Sequence, residues 1–554
     1  MSQLAYRFCL CSILTFFSLF ASSAPLPPSI RDEIENKQKQ RLDEIKTQNE
    51  QLKNLHVLPT LPQNQLVDEG ACFNVRILKL VGNTKFNDKV LINAAGFTPK
   101  CIGLKSINDY LSKISNYYIK HGFITSRAYL TPQNLKSGIL TIVILEGKIK
   151  EIQLNGKENK TLEFIFPSIK GEILNLRDIE QGLDQVNRLR RYNARIKLIP
   201  SEIQGYSIVN IETDIGSSAN GMVGFNNSGS SGTGETQITA SFGLENAFSL
   251  LESINVSGSG SSEFNHSYNS ESINLNMDFP MGYWNYDLQM VNSKYKSSFD
   301  YNGVELTTNG NTSIYKLGID WVFFRNGQIK TKFKSSVNHR RQNNYIMGSK
   351  LESSSYNLSH VTLGIEFSSR LGRSFITVFP AFSRGTSWFN AITDHSVSTD
   401  TPVSKFDKEE LTLSYTYPFT QSLSYSSTLY GQWSDDKLYS NQQISIGGEY
   451  SVRGFKNISI VGDSGYYWRN QFNYQIGQWP IIGIVNGVLA FDYGAIDARS
   501  KDEVEGNSLI GSSLTISTQN KYYSSSFSAG VPIHSPKNLN ADDYVVSYQI
   551  QISF

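Results

Sequence analysis

The sequence predicts a transmembrane β-barrel of about 16 antiparallel strands, set behind a polar N-terminal helix and two small α/β domains. Three observations predict the barrel. From about residue 218 onward the helical period is absent and strand-like runs alternate apolar with polar residues; in the last run Val546, Tyr548, Ile550, Ile552 and Phe554 interleave with Ser547, Gln549, Gln551 and Ser553. The connections alternate between short ones, near Ala247, Met281, Asn326, Gly372, Thr420, Trp479 and Asn520, and longer polar ones, near 297–310, 386–405, 436–463, 495–506 and 533–543. Aromatic residues mark strand ends, as in Tyr283-Trp284 and Tyr466-Tyr467-Trp468, where a bilayer interface holds them. A soluble sandwich shares the alternation but not the loop pattern. An even strand count returns the C-terminus to the side of the N-terminal domains, and closing the sheet leaves no unpaired edge in lipid.

Composition agrees. At 554 residues the chain exceeds one ordinary domain, and its net charge of +2 gives no case for a nucleic-acid partner. A mean hydropathy of −0.30 is out of keeping with a helical membrane protein but suits a barrel with a polar interior. No stretch beyond the N-terminus has the 18 or more apolar residues of a spanning helix.

The elements follow in order. Residues 1–23 read as a signal peptide: Arg7 gives the charge, Phe8 to Phe20 the apolar run, and Ala21 and Ser23 a small-residue cut before Ala24. The run is too short for a transmembrane helix, and Cys9 and Cys11 leave with it. The remaining pair, Cys72 and Cys101, reads as one structural disulfide in an exported chain, the alternative being two free thiols. Within segment 24–56, residues 29–55 form a polar helix with a thin apolar stripe of Ile34, Leu42, Ile45 and Leu52, so it is solvated or lies inside something polar. Pro59 and Pro62 make 57–71 an extended linker.

Residues 72–149 and 150–214 repeat one order, strand, two helices, two strands. In the first the strands are 73–80, 124–129 and 139–147 and the helices 87–95 and 106–120; in the second the strands are 150–154, 194–199 and 206–213 and the helices 161–167 and 176–191. Ile179, Leu183, Val186 and Leu189 give the last helix its buried face, and the charged residues opposite read as solvated. The barrel takes 215–554.

One loop stands out: Gly447-Gly448-Glu449-Tyr450-Ser451-Val452-Arg453-Gly454-Phe455 places a single arginine among aromatics and glycines that allow tight backbone turns. Alone it would be a glycine-rich surface turn. With Cys72-Phe73-Asn74-Val75, Asp178 to Asn187, Asn226 to Gly229 through Thr233-Gly234, Ile446-Gly447-Gly448, Gly465 to Asn470 and a terminal Phe554, the mature chain resembles the two-partner secretion transporters (TpsB family, hemolysin-activator type). The resemblance implies an outer-membrane pore with a plug helix, two periplasmic POTRA domains and a 16-stranded barrel in lipid. It implies a secreted TpsA-type exoprotein as partner, taken up unfolded through the POTRA domains, and the barrel-assembly machinery as reader of Phe554.

In the family the loop folds into the barrel and its arginine meets an inner-wall aspartate. The matching stretch is Ala490-Phe491-Asp492-Tyr493-Gly494. Alternation turns Asn486, Val488, Ala490 and Asp492 inward and Val485, Leu489 and Phe491 toward lipid, and an inward carboxylate accepts the planar fork of Arg453. Val452, Arg453, Gly454 and Phe455 with Asp492 and Gly494 are therefore the candidate gating set, although the family usually has Phe where this chain has Ala490.

Other chemistry is weak. Gly462-Asp463-Ser464-Gly465 looks like a serine-protease signature but lies beside a strand, with no histidine and orienting carboxylate nearby. The seven histidines are scattered without metal-ligand spacing, and His339-Arg340-Arg341 reads as a lumen or loop charge cluster. No catalytic residue, metal or cofactor is expected. An insertase of the barrel-assembly type shares the loop arginine and is the alternative; a passive porin would not need the N-terminal domains, and a plug helix with two such repeats favours export.

Overall fold

The computed structural model describes residues 28–53, 72–263, 267–301, 303–393, 401–497, 507–537 and 539–554. The signal peptide with its cut, and the whole proline linker 57–71 with Pro59 and Pro62, lie outside the described residues.

The two N-terminal domains are copies of one topology. In the first, Ile77–Val81 pairs in parallel with Ile139–Leu145, which pairs antiparallel with Arg127–Leu130. In the second, Lys148–Leu154 pairs in parallel with Tyr206–Glu212, which pairs antiparallel with Arg195–Pro200. Helices cover one face of each sheet. Asp88–Ala95 starts where the Asn87 side chain accepts from the Val90 amide and stops at Gly96, whose φ of 66° no β-carbon opposes. With Leu104–Lys120 it buries Leu91, Ile107, Ile114 and Tyr118 against Leu78, Leu140 and Ile142. Thr161–Ile165 and Leu176–Asn187 build the second core with Ile179, Leu183, Val186 and Leu189. Several elements are shorter than expected: Ile124 precedes its strand, and the last helix ends at Asn187 rather than 191.

Cys72 and Cys101 are joined and clip the short Phe73–Val75 strand beside Lys100–Ile102. Glu146 is buried at the end of the first sheet. Burial pushes its carboxyl up, but it accepts from the amides of Thr84 (2.8 Å) and Lys85 (2.9 Å), from the Tyr118 hydroxyl (2.7 Å) and from the Thr84 hydroxyl, which together hold it below the usual carboxylate range.

The remainder is a closed 16-stranded antiparallel barrel running from Ala219–Asn226 to Val545–Ser553. Closure pairs these two strands over five residues, Met222 to Asn226 against Ser553 to Gln549, and Phe554 exchanges backbone hydrogen bonds with Gly221. The wall is uneven. The first strand has 8 residues, whereas Trp284–Tyr301 and Val304–Arg325 have 18 and 22. The connection expected over 297–310 is therefore mostly strand: Tyr301 already pairs with Val304. The aromatic belt needs one correction, since Tyr466 and Trp468 are exposed but Tyr467 points inward and is buried. Among the described residues no helix is long and apolar enough to cross a membrane.

The helix Leu176–Asn187 corrects another expectation. Its polar face is not solvated but is docked on the barrel's short turns. Asp178 accepts from the Tyr283 hydroxyl (2.5 Å), Asp184 pairs with Arg325 (2.9 Å) and Lys330 (2.9 Å), and Gln181 accepts from Arg325 (2.8 Å). Burial raises the Asp184 carboxyl, and the two cations outweigh it and hold it low. Just beyond the helix Arg188 pairs with Asp278, and Leu251 from the first short turn completes the domain's core.

Candidate functional site

The helix Pro28–Lys53 lies inside the barrel. Its polar side chains find partners around the wall: Glu44 with Lys334 (2.8 Å), Glu33 with Arg340, Gln48 with Ser368 (2.8 Å), Asn49 with Thr416 (3.2 Å) and Gln51 with Lys330 (3.1 Å). Arg41 donates to the Tyr467 hydroxyl (2.9 Å) and lies 3.5 Å over the Tyr430 ring. The few apolar residues are used too, Leu52 packing on Phe375. A helix this polar has a reason to be ordered only where the wall supplies such partners.

The loop between Leu423–Trp433 and Gly465–Trp479 folds back into the lumen and closes on itself through a short hairpin, Ile444–Ile446 with Ile460–Gly462. Gly447 and Gly448 take φ values of 102° and 123°, a region that β-carbons oppose, and turn the chain toward the wall. Val452 and Phe455 are buried in one cluster with Ile446, Tyr467 and Leu509. Between them Arg453 reaches Asp492, which is fully buried, while Arg453 is 8% exposed.

The pairing is a two-pronged fork. Arg453 Nε lies 2.6 Å from Asp492 Oδ2 and Nη2 2.7 Å from Oδ1, and the Arg453 amide adds a bond of 3.1 Å to Oδ2. Nη1 donates to Gln471 (2.9 Å). Arg469, directly opposite Asp492 on the adjacent strand, holds the loop backbone by donating to the carbonyls of Glu449 (2.8 Å) and Ser451 (3.2 Å). The loop tip lies on three glycines of the wall. A β-carbon at Gly511 would overlap the Arg453 carbonyl, one at Gly530 would fall 2.9 Å from Gly454 Cα, and one at Gly494 would fall 2.9 Å from Val452.

The structure thus brings Val452, Arg453, Gly454, Phe455, Asp492 and Gly494 together, with Cys72–Cys101 and the exposed Phe554 far from them in the fold. Ala490 is buried and Leu489 and Phe491 are exposed, but Val485 is buried, beside the bulge where the neighbouring strand steps from Gln475 to Gly477. Gln471, Gly511 and Gly530 were not singled out from the sequence, and Arg469 entered only within the Gly465 to Asn470 stretch, without a role; inward parity alone could have flagged them. Ser464 of the protease-like tetrapeptide exchanges hydrogen bonds with the Ser434 backbone, and Asp463 accepts from the Leu438 amide (2.9 Å) and Gln443 (3.0 Å), so both brace the loop. Arg340 of the basic cluster seats the lumen helix through Glu33.

The plug also joins the loop. Gln38 donates to the Ser445 carbonyl (2.9 Å) and Arg31 to Asn457 (2.9 Å). Wall, loop and helix are one bonded unit, the arrangement of a plugged outer-membrane pore.

Comparison with known proteins places it further. The family model "Haemolysin secretion/activation protein ShlB/FhaC/HecB" matches residues 205–518, and the models "POTRA domain, ShlB-type" and "POTRA domain" match 73–147 and 148–200. The chain is 36% identical over 549 residues to the outer membrane transporter CdiB of Dickeya dadantii, covering 98% of each, and 34% identical to CdiB of Escherichia coli, covering 99% of this chain and 93% of the relative. The solved structure of CdiB from Escherichia coli superposes with a TM-score of 0.93 at 33% identity, covering 96% of this chain and all of the other. The chain belongs to the ShlB/FhaC/HecB family of outer-membrane secretion transporters.

Proposed function

We propose that this chain exports one large partner exoprotein from the periplasm to the cell surface. The family match over 205–518, on a barrel whose lumen holds a plug helix and an inward loop, carries the reading. The partner is a TpsA-type exoprotein, hemolysin, adhesin or contact-dependent toxin in kind, recognised through its N-terminal secretion domain. It arrives unfolded and adds a strand to a free sheet edge of a POTRA domain, Arg127–Leu130 in the first or Arg195–Pro200 in the second, by backbone hydrogen bonds that tolerate many sequences. Residues 72–149 and 150–214 serve as these periplasmic domains and 215–554 as the barrel, its outward apolar side chains, such as Leu489, Phe491, Leu514 and Ile516, against lipid. Phe554 is the signal read by the barrel-assembly machinery. The loop and plug act as the gate, so passage requires the plug to exchange its polar contacts for water and the loop to shift from Asp492. Folding of the exported chain outside supplies direction.

The test is secretion of the large exoprotein encoded beside this chain, in cells with and without it. Release into the medium only when the chain is present is expected. Unchanged release together with failure of other barrels to assemble would replace export with barrel insertion.

A further inference from the structure

The lumen wall is not uniform around its circumference. On one side it is charged: Lys332, Lys334, Arg340, Glu366, Lys408 and Glu410 stand on three strands, and the plug is seated there. Lys332 pairs with Glu366 at 3.1 Å, Lys334 with Glu44, and Arg41 with Glu410 at 3.9 Å. Among the described residues, the other side carries no such ladder. A cavity of about 770 Å³ lies between the plug and a wall whose side chains include Ser426, Thr428, Thr515, Ser528, Gln549 and Gln551. The wall strands bring one charged group to this cavity, Arg469, which is committed to the loop backbone; the loop brings Glu449, Arg453, which is committed to Asp492, and Lys456, which pairs with Glu235 at 3.0 Å, and the plug's own charged residues, such as Glu35, Lys39 and Asp43, face it from the other side. The plug therefore occupies one sector and leaves beside it an open one whose barrel wall is neutral but for Arg469.

We propose that the neutral sector is the track for the exported polypeptide and that the charged sector serves only to seat the plug; this rests on the export reading. A conduit for a long chain of mixed sequence has to bind every segment weakly and release it. Hydroxyl and amide side chains donate to and accept from any peptide backbone, and exchange those bonds with water at little net cost. Fixed charges in a confined lumen would hold segments of opposite sign and repel those of like sign. The division also explains how one pore both holds a polar plug firmly and passes a chain loosely: ionic partners do the first and neutral ones the second.

The experiment uses full-length transporter carrying one introduced cysteine, at Ser426, Thr515 or Gln549 in the neutral sector, or at Lys332, Glu366 or Glu410 in the charged one. Cys72 and Cys101 are joined, so the introduced thiol is the free one among the described residues. Co-expression with the neighbouring exoprotein, stalled by a stably folded block at its C-terminus, is followed by thiol-directed crosslinking. Crosslinks to the exoprotein at least about 5-fold stronger from the neutral positions are expected. Equal or stronger crosslinks from the charged positions overturn the track, as does their absence from every lumen position while the unblocked exoprotein still requires the transporter for release. Release that does not require the transporter sinks the export reading instead. As a second measurement, the double variant T515K/Q549K, assayed for assembled barrel by its heat-modifiable migration, secretes at least about 5-fold more slowly; parental secretion from assembled barrels overturns the proposal.

Discussion

Arg453 illustrates why one guanidinium is not replaceable by another cation. Its fork spends two nitrogens on Asp492 and a third on Gln471. Lysine carries the charge but lacks the planar pair of donors. Arg453→Ala leaves a fully buried carboxylate unpaired, a penalty of about 3–5 kcal/mol in a buried pair, so secretion is expected to fall at least about tenfold while heat-modifiable barrel persists. Arg453→Lys restores less than half of it. Full secretion by Arg453→Ala, measured in the medium, would remove the loop from the gate. At the same scale, Glu146 sets a pH dependence. Its folded-state carboxyl lies below the ordinary value of 4.5, so its contribution is complete above that value and is lost as pH falls through the depressed one. Amide exchange at Thr84 and Lys85, corrected for intrinsic rates, is expected to stay slow down to pH 4.5 and to accelerate below it. Glu146→Gln shows fast exchange throughout, by about 1–3 kcal/mol of lost protection.

At the scale of elements, the helix Leu176–Asn187 acts as the joint between the second domain and the barrel. Asp184→Asn leaves Arg325 and Lys330 without their shared carboxylate, and limited proteolysis near residues 188–194 is expected to speed up several-fold while the barrel stays resistant; an unchanged pattern would show that the joint does not depend on the charge. Joining Cys72 to Cys101, 29 residues apart, stabilises the first domain by about 3–4 kcal/mol on chain-entropy grounds. Reduction in the intact protein is expected to raise exchange in Phe73–Val75 first. These elements also mark what the sequence discloses. Period-two alternation in residues 546–554 and the apolar spacing of Ile179, Leu183, Val186 and Leu189 are local signals, and they located strands, helix and buried face. The partners of the opposite face are more than 90 residues away in sequence, Tyr283 for Asp178 and Arg325 and Lys330 for Asp184. Nothing local distinguishes such a face from one that meets water. Arg453 and Asp492 were legible through a motif; Gly511 and Gly530 were not, because a glycine in a strand carries no sign of the backbone that lies against it.

At the scale of the whole molecule, the uneven wall has a consequence of its own. A strand rises about 3.3 Å per residue, and about 9–11 residues suffice to cross a bilayer when tilted. Trp284–Tyr301 and Val304–Arg325 are about twice that length, whereas the strands at the closure have 8 and 9 residues. Trp284 and Arg325 lie at the periplasmic end, beside the docked helix, so the excess stands outside the cell as a fin that turns at Gly303 and is joined by Ile329–Ile346 as far up as Thr308. On a living bacterium that fin is open to antibodies, phages and proteases. A short peptide tag inserted at Gly303 is expected to be stained on unpermeabilised cells without loss of secretion.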